Sequence, residues 1–198
     1  MTAFANELIA EPIQFEQIER NLLQLTYRTP SPTDWVNGIL RARVPDLRDQ
    51  PDQRGPERMG KLNTLRQWHA MDKLLCQVCA EPAANVRTGR IPWLLTETVF
   101  QRTGYDSGHT DTPPTCPDCV DDALKQCPAL RAGAALYTVA TALTAGVLAD
   151  LYRPARDLMP VLYGHNVFVP WHTGPAAHHR GGLATRQVVH LHGMKAVI

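Results

Sequence analysis

Two short stretches restrict this chain more than anything else in it: "LCQVCAEPAA" (75–84) and "TCPDCVDDALKQC" (115–127). Each carries a Cys-x-x-Cys pair, so four thiols stand as Cys76/Cys79 and Cys116/Cys119, with a fifth at Cys127. Paired cysteines at this spacing serve as metal ligands, as a redox dithiol or as partners in disulfides. The amino terminus, "MTAFANELIAEPIQFEQIER", lacks a basic stretch followed by an apolar run, so no secretory signal is read there and a cytoplasmic location is expected. Thiols stay reduced in that compartment, which favours metal binding over disulfides. No strand of the kind that precedes a thioredoxin Cys-x-x-Cys stands before either pair. Four thiolates suit a structural Zn²⁺, whose tetrahedral shell takes soft ligands from two knuckles.

The second pair says more than its spacing. Pro117 stands where a first helical turn begins, with Asp118, Asp121 and Asp122 close behind. Proline at the first helical position and acids in the first turn both mark a helix start. Val120, Ala123, Leu124 and Cys127 continue at helical spacing, so Cys127 reads as a small buried hydrophobe rather than a fifth ligand. Asn63 is a candidate N-cap for a helix carrying Leu65, Trp68, Met71, Asp72 and Leu75, which delivers the chain to Cys76. Between the pairs, Ile91, Trp93, Leu94 and Leu95 are expected to line the inner face of a hairpin, followed by a polar excursion. Knuckle, hairpin and helix in that order predict a treble-clef-like core.

These motifs carry a resemblance. "LRQWHAMDKLLCQVCAEPA", then "WLL", then "CPDCVDDALKQCPALR" is similar to a group of uncharacterised actinobacterial zinc-knuckle proteins. The likeness spans 62–130 and implies zinc binding, but it brings no activity or substrate. Ala80 stands where that pattern has glycine after the knuckle.

The rest of the chain reads as an α+β fold around this module. Its 198 residues, 44% hydrophobic with net charge +1, suit a globular domain and lack the basic excess of a nucleic-acid binder. Segment 1–61 is expected to hold a helix over 13–26 (Phe15, Ile18, Leu22, Leu23, Leu25), a strand from Ile39 to Val44 and a solvated loop over 45–60. Segment 62–130 is the cysteine module. Segment 131–198 is expected to be β-rich and packed on the same domain. It has two strands turning near Gly146, a strand through "VLYGHNVFVPW", a loop at "TGPAAHHRGG" and a last strand or short helix. The run 132–149 carries no charge, but three Thr, two Gly and much Ala make it a poor membrane span, so none is expected.

Histidines supply the remaining candidates. Nucleases of the HNH type use a treble clef with a general-base His in the hairpin and a metal-binding His on the helix. His109, flanked by Asp106 and Asp111, is the candidate base, and the helix after Cys119 has no histidine. Six more crowd the end: His165, His172, His178, His179, His190 and His192. His190 and His192 would share a strand face and hold a second metal with His172 or the 178/179 pair. From Leu151 onward five basic residues face one acidic, which suits a protein or nucleic-acid partner of unknown identity. Structural zinc in a non-catalytic binding or adaptor protein is the function this pattern predicts. The alternatives are an HNH-like nuclease and an enzyme using a carboxy-terminal histidine metal site.

Overall fold

The computed structural model describes residues 2–8, 10–97 and 107–197; part of the expected polar excursion, including Asp106, lies outside them. The chain is α+β. A six-stranded sheet is ordered β11–β10–β12–β5–β4, with β8 also joined to β12. These strands are β4 (Trp35–Val36), β5 (Ile39–Arg41), β8 (Ser107–Thr110), β10 (Thr141–Pro154), β11 (Pro160–Pro170) and β12 (Gly182–His192). A three-stranded sheet runs β13–β9–β7, from β7 (Ile91–Thr96), β9 (Ala134–Val139) and β13 (Lys195–Ala196). Two ribbons complete the strands among the described residues: β1 (Thr2–Phe4) with β6 (Glu57–Leu62), and β2 (Ile13–Glu19) with β3 (Leu22–Tyr27). Among the described residues the helices are short: α1 (Pro51–Arg54), α2 (Thr64–Lys73), α3 (Val120–Gln126), α4 (Pro128–Ala132) and α5 (Ala176–Gly181).

Segment 13–26 forms a hairpin, not the expected helix. Phe15 pairs with Leu25 and Ile13 with Tyr27, and the two-residue loop Arg20–Asn21 puts Asn21 at φ 66°. The left-handed region costs most residues about 1–2 kcal/mol, and asparagine tolerates it through its short polar side chain. Phe15, Leu25 and Tyr27 share one buried face by the two-residue period, while Ile18 is 48% exposed. A second tight turn closes β4 on β5 at Asn37–Gly38, both with positive φ, as an Asn-Gly hairpin turn requires. The loop expected over 45–60 is interrupted by α1 and by the start of β6.

β12 organises the large sheet. It pairs antiparallel with β10 from end to end, parallel with β5 near its start and antiparallel with β8 over Val189–His192. The turn expected near Gly146 falls instead at Ala140, between β9 and β10. Gly146 lies inside β10 beside a register shift, where a Cβ would stand 2.3 Å from the Val169 carbonyl oxygen and 2.9 Å from a Phe168 ring carbon. Glycine there permits close strand approach rather than a reversal.

α2 packs on β12 and joins two cores. Trp68 enters a cluster with Ile39, Val147, Leu151 and Val169; Met71 enters another with Trp93, Tyr137, Val139, Val189 and Leu191. Asn63 is the N-cap, its side chain accepting from the Arg66 N–H. The helix does not bury the expected stripe in full. Leu65 is 36% exposed, while Gln67 and Arg66 are buried. The Gln67 amide and the two terminal nitrogens of Arg66 find partners where they lie, while Arg66 Nε is buried without one. Gln67 donates to the Asp111 and Gln187 carbonyls at 2.8 and 2.9 Å and accepts from the Gln187 N–H at 3.0 Å. Arg66 donates twice to Glu7, at 2.8 and 2.6 Å, and once to Asp46 at 2.6 Å.

Candidate metal centre

The first knuckle begins where α2 ends. Leu74 takes a left-handed conformation (φ 53°, ψ 47°), its N–H bonding the Ala70 carbonyl, which stops the helix and turns the chain. A bridge between Leu75 and Pro82 closes the loop. Within it the Cys76 N–H donates to the Glu81 carbonyl, the Ala80 N–H to the Cys76 carbonyl, and the Val78 N–H points at Cys76 Sγ at 3.4 Å. Ala80, at the position where glycine was expected, has φ 63°. The turn therefore demands the left-handed region, and alanine occupies it.

The second pair follows the predicted helix start. Cys116 caps a 3-10 turn, Pro117–Cys119, with proline at its first position, and Cys119 precedes α3. The Cys119 N–H donates to the Cys116 carbonyl at 3.1 Å. Two bonds fasten the knuckle to this segment: Gln77 N–H to the Pro114 carbonyl at 2.8 Å, and Gln77 Nε2 to Thr115 Oγ1 at 2.8 Å. Thr115 is itself buried, with its N–H on the Pro92 carbonyl, which ties the pair to β7.

As a result the four sulfur atoms of Cys76, Cys79, Cys116 and Cys119 all lie within 4.8 Å of one another. Cys79 and Cys116 are 3.8 Å apart, far beyond the ~2.05 Å of a disulfide. Bonds of about 2.3 Å to a tetrahedral ion require sulfur–sulfur edges of about 3.8 Å, so the donor set fits zinc in number, chemistry and spacing. Cys76 is fully buried against the cluster of Met71, Trp93 and Tyr137, Cys116 and Cys119 pack on the same cluster half-buried, and Cys79 is exposed. Such a site is closed on its core side and open at one thiol.

Acidity within the cluster is uneven. Burial raises the Cys76 thiol, but backbone hydrogen bonds from Cys79, Cys116 and Val78 outweigh it and bring it down to about 7. Cys116 and Cys119 are pushed up, by burial first and then by the neighbouring sulfurs that must share the same space. The Cys76 thiolate forms readily, while those of Cys116 and Cys119 need a positive partner, which a divalent cation supplies. Cys127 lies elsewhere, packed on Leu94, Ala123 and Leu130, as expected of a small hydrophobe.

The strands between the two pairs do not form the expected hairpin among the described residues. β7, with Ile91 to Leu95 buried, pairs with β9, while β8 pairs with β12. The knuckle and the helix-turn cysteines are present; the described strands between them belong to two separate sheets. No protein family, curated protein or solved structure matches this chain.

The histidines separate into groups. His109, on β8, stacks on His190, and His190 contacts His192. His165 Nδ1 lies 2.7 Å from Asp150 on the far edge of the sheet, and His179 Nδ1 bonds the Asn37 carbonyl. The expected grouping of His190 and His192 with His172 or His178/His179 is not formed. Asp111, beside His109, is held by Arg186 at 2.5 Å, so one of the carboxy-terminal arginines is in an internal ion pair. The uncharged run 132–149 lies largely in β9 and β10, and no helix among the described residues is long and apolar enough to cross a membrane. Sequence reasoning missed the meeting of His109 with His190 and His192, because only the β8–β12 pairing joins them.

Proposed function

We propose that the protein is a zinc-stapled, non-catalytic binding or adaptor module whose metal is held by Cys76, Cys79, Cys116 and Cys119. The observation that carries this is the convergence of four thiols at the spacing of a tetrahedral shell. The ion would tie the end of α2 to the start of α3, two points that the core already brings together, and its role is structural. Four protein ligands leave no open position for substrate. The resemblance to actinobacterial zinc-knuckle proteins agrees with this, as does a cytoplasmic setting that keeps the thiols reduced. The knuckle and helix-turn ligands suit a treble-clef-like centre whose intervening strands have been recruited into larger sheets. A protein or nucleic-acid partner would be met by the surface this scaffold presents.

Elemental analysis of the purified, untagged protein should find one tightly held zinc. Cys116→Ser should lose it and with it several kcal/mol of stability, lowering the melting temperature by ~10 °C or more, since binding and folding free energy are shared in such sites. Cys127→Ala should keep the metal. A Cys116→Ser protein that melts like its parent, or a parent free of zinc, would overturn the proposal. The nuclease alternative makes a separate demand: divalent-metal-dependent cleavage of DNA, lost in His109→Ala.

A further inference from the structure

His109 and the His190/His192 pair come from distant parts of the sequence, and the sheet puts them on one face. His109 and His190 are direct Cα partners in the antiparallel β8–β12 ladder. His192 follows two residues after His190, so the strand period returns its side chain to the same side. The ring centroids of His109 and His190 are 4.5 Å apart, nearly parallel at 20°, and those of His190 and His192 are 4.2 Å apart. His109 is exposed and the other two are half-buried. His165 and His179 have an acceptor on their rings; among the described residues no hydrogen bond or ion pair holds these three.

We propose that His109, His190 and His192 form a second metal site, for a borderline divalent transition cation such as Zn²⁺ or Ni²⁺, independent of the four-cysteine centre. Three imidazoles without a carboxylate are the donor set such cations prefer over Mg²⁺ or Ca²⁺. Rings bound through nitrogen to one ion at 2.0–2.1 Å have centroids about 5 Å apart, close to both observed separations. The rings now stand in a row with His190 in the middle, and among the described residues only the cysteines already gather their ligand atoms within 4.8 Å. Binding therefore requires the two outer rings to turn toward His190. His109 also leaves its tilted contact with the Phe168 ring, whose centroid stands 5.1 Å away.

Equilibrium dialysis of the full, untagged, zinc-loaded chain against Zn²⁺ at pH 7.5 tests this. The expected count is two per chain, one resistant to dialysis and one exchangeable. His190→Gln and His192→Gln should each weaken the exchangeable site at least tenfold while leaving the resistant zinc and the circular dichroism spectrum in place. His192 is the safer change should His190→Gln disturb the sheet. His165→Ala should leave the count at two, and Ni²⁺ should compete for the exchangeable site alone. Lowering the pH to 5.5 should empty it, because protons compete for the imidazoles. A single zinc per chain in the parent would overturn the proposal, as would a second zinc untouched by both Gln variants or lost on His178→Ala/His179→Ala. Absence of the resistant zinc would instead count against the cysteine centre alone.

Discussion

Alanine at position 80 holds a backbone angle that glycine adopts freely. The left-handed region costs a Cβ-bearing residue about 1–2 kcal/mol, and glycine returns about 0.5–1 kcal/mol of that as extra freedom in the unfolded chain. Ala80→Gly is therefore expected to stabilise the zinc-loaded protein by a few tenths to about 1 kcal/mol, read as a higher urea midpoint at unchanged slope. A lower midpoint would mean that the knuckle is not limited by this turn. At the same scale, burial raises the Glu7 carboxyl, but the Arg66 guanidinium and the Phe4 and Leu47 N–H groups outweigh it and hold it below the usual glutamate range. A carboxylate lowered in the folded state stabilises above its unfolded value, about 4.3, and that contribution disappears as pH falls through the folded value. Glu7→Gln takes the negative charge and one acceptor oxygen from buried Arg66, leaving it Asp46 and the Thr2 carbonyl, at a cost of about 3–5 kcal/mol at pH 7. Its melting temperature should then fall less steeply than the parent's between pH 5 and 3. Acid release of zinc acts on both proteins, so the difference between the two curves isolates Glu7.

Among the elements, those set by local rules were legible and those set by pairing were not. α2 and α3 announce themselves through Asn63 and Pro117, because capping needs only neighbours in sequence. β11 was readable from its Val- and Tyr-bearing run and Ile39–Arg41 from its alternation, whereas the segment of β12 read equally as a strand or a short helix. Segment 13–26 deceived because Phe15, Ile18, Leu22 and Leu25 also satisfy a helical period. The competing signals were the two-residue alternation of Leu23, Leu25 and Tyr27 and the turn-forming Asn21. Asn37–Gly38 was an available hairpin signal that went unused. The four clustered cysteines could be found from spacing alone, whereas the partners of β7 and β8 lie in strands far along the chain, and no local pattern names them. Gly146 tests the pairing directly. A methyl group there meets backbone at 2.3 and 2.8 Å, atoms that cannot turn aside as a flexible side chain would. Gly146→Ala should force β10 from β11 and cost at least 2 kcal/mol by chemical denaturation; a change below 0.5 kcal/mol would show that the strands separate easily.

Across the whole molecule, Gln67 connects what the metal centre depends on. Its amide joins α2, which leads to Cys76, to β12 and to the Asp111 carbonyl, on the segment that leads to Cys116. Gln67→Leu keeps most of the volume but strands a buried Gln187 N–H and two carbonyls, so it should cost about 2–3 kcal/mol. It should also speed zinc release to a chromogenic chelator; unchanged release would mean that the two cysteine pairs hold their positions without this brace. The position of β12 in the chain has another consequence, one of order in time. All four cysteines of the candidate centre have been synthesised once Cys119 has left the ribosome, whereas β5, β8 and β10 wait for Gly182–His192 before they have a common neighbour. The growing chain thus acquires all four clustered cysteines long before the strand that zips the large sheet. Pairings of such long sequence separation close in milliseconds to seconds rather than microseconds. On refolding from denaturant, zinc capture should run ahead of the slow phase in which the large sheet forms.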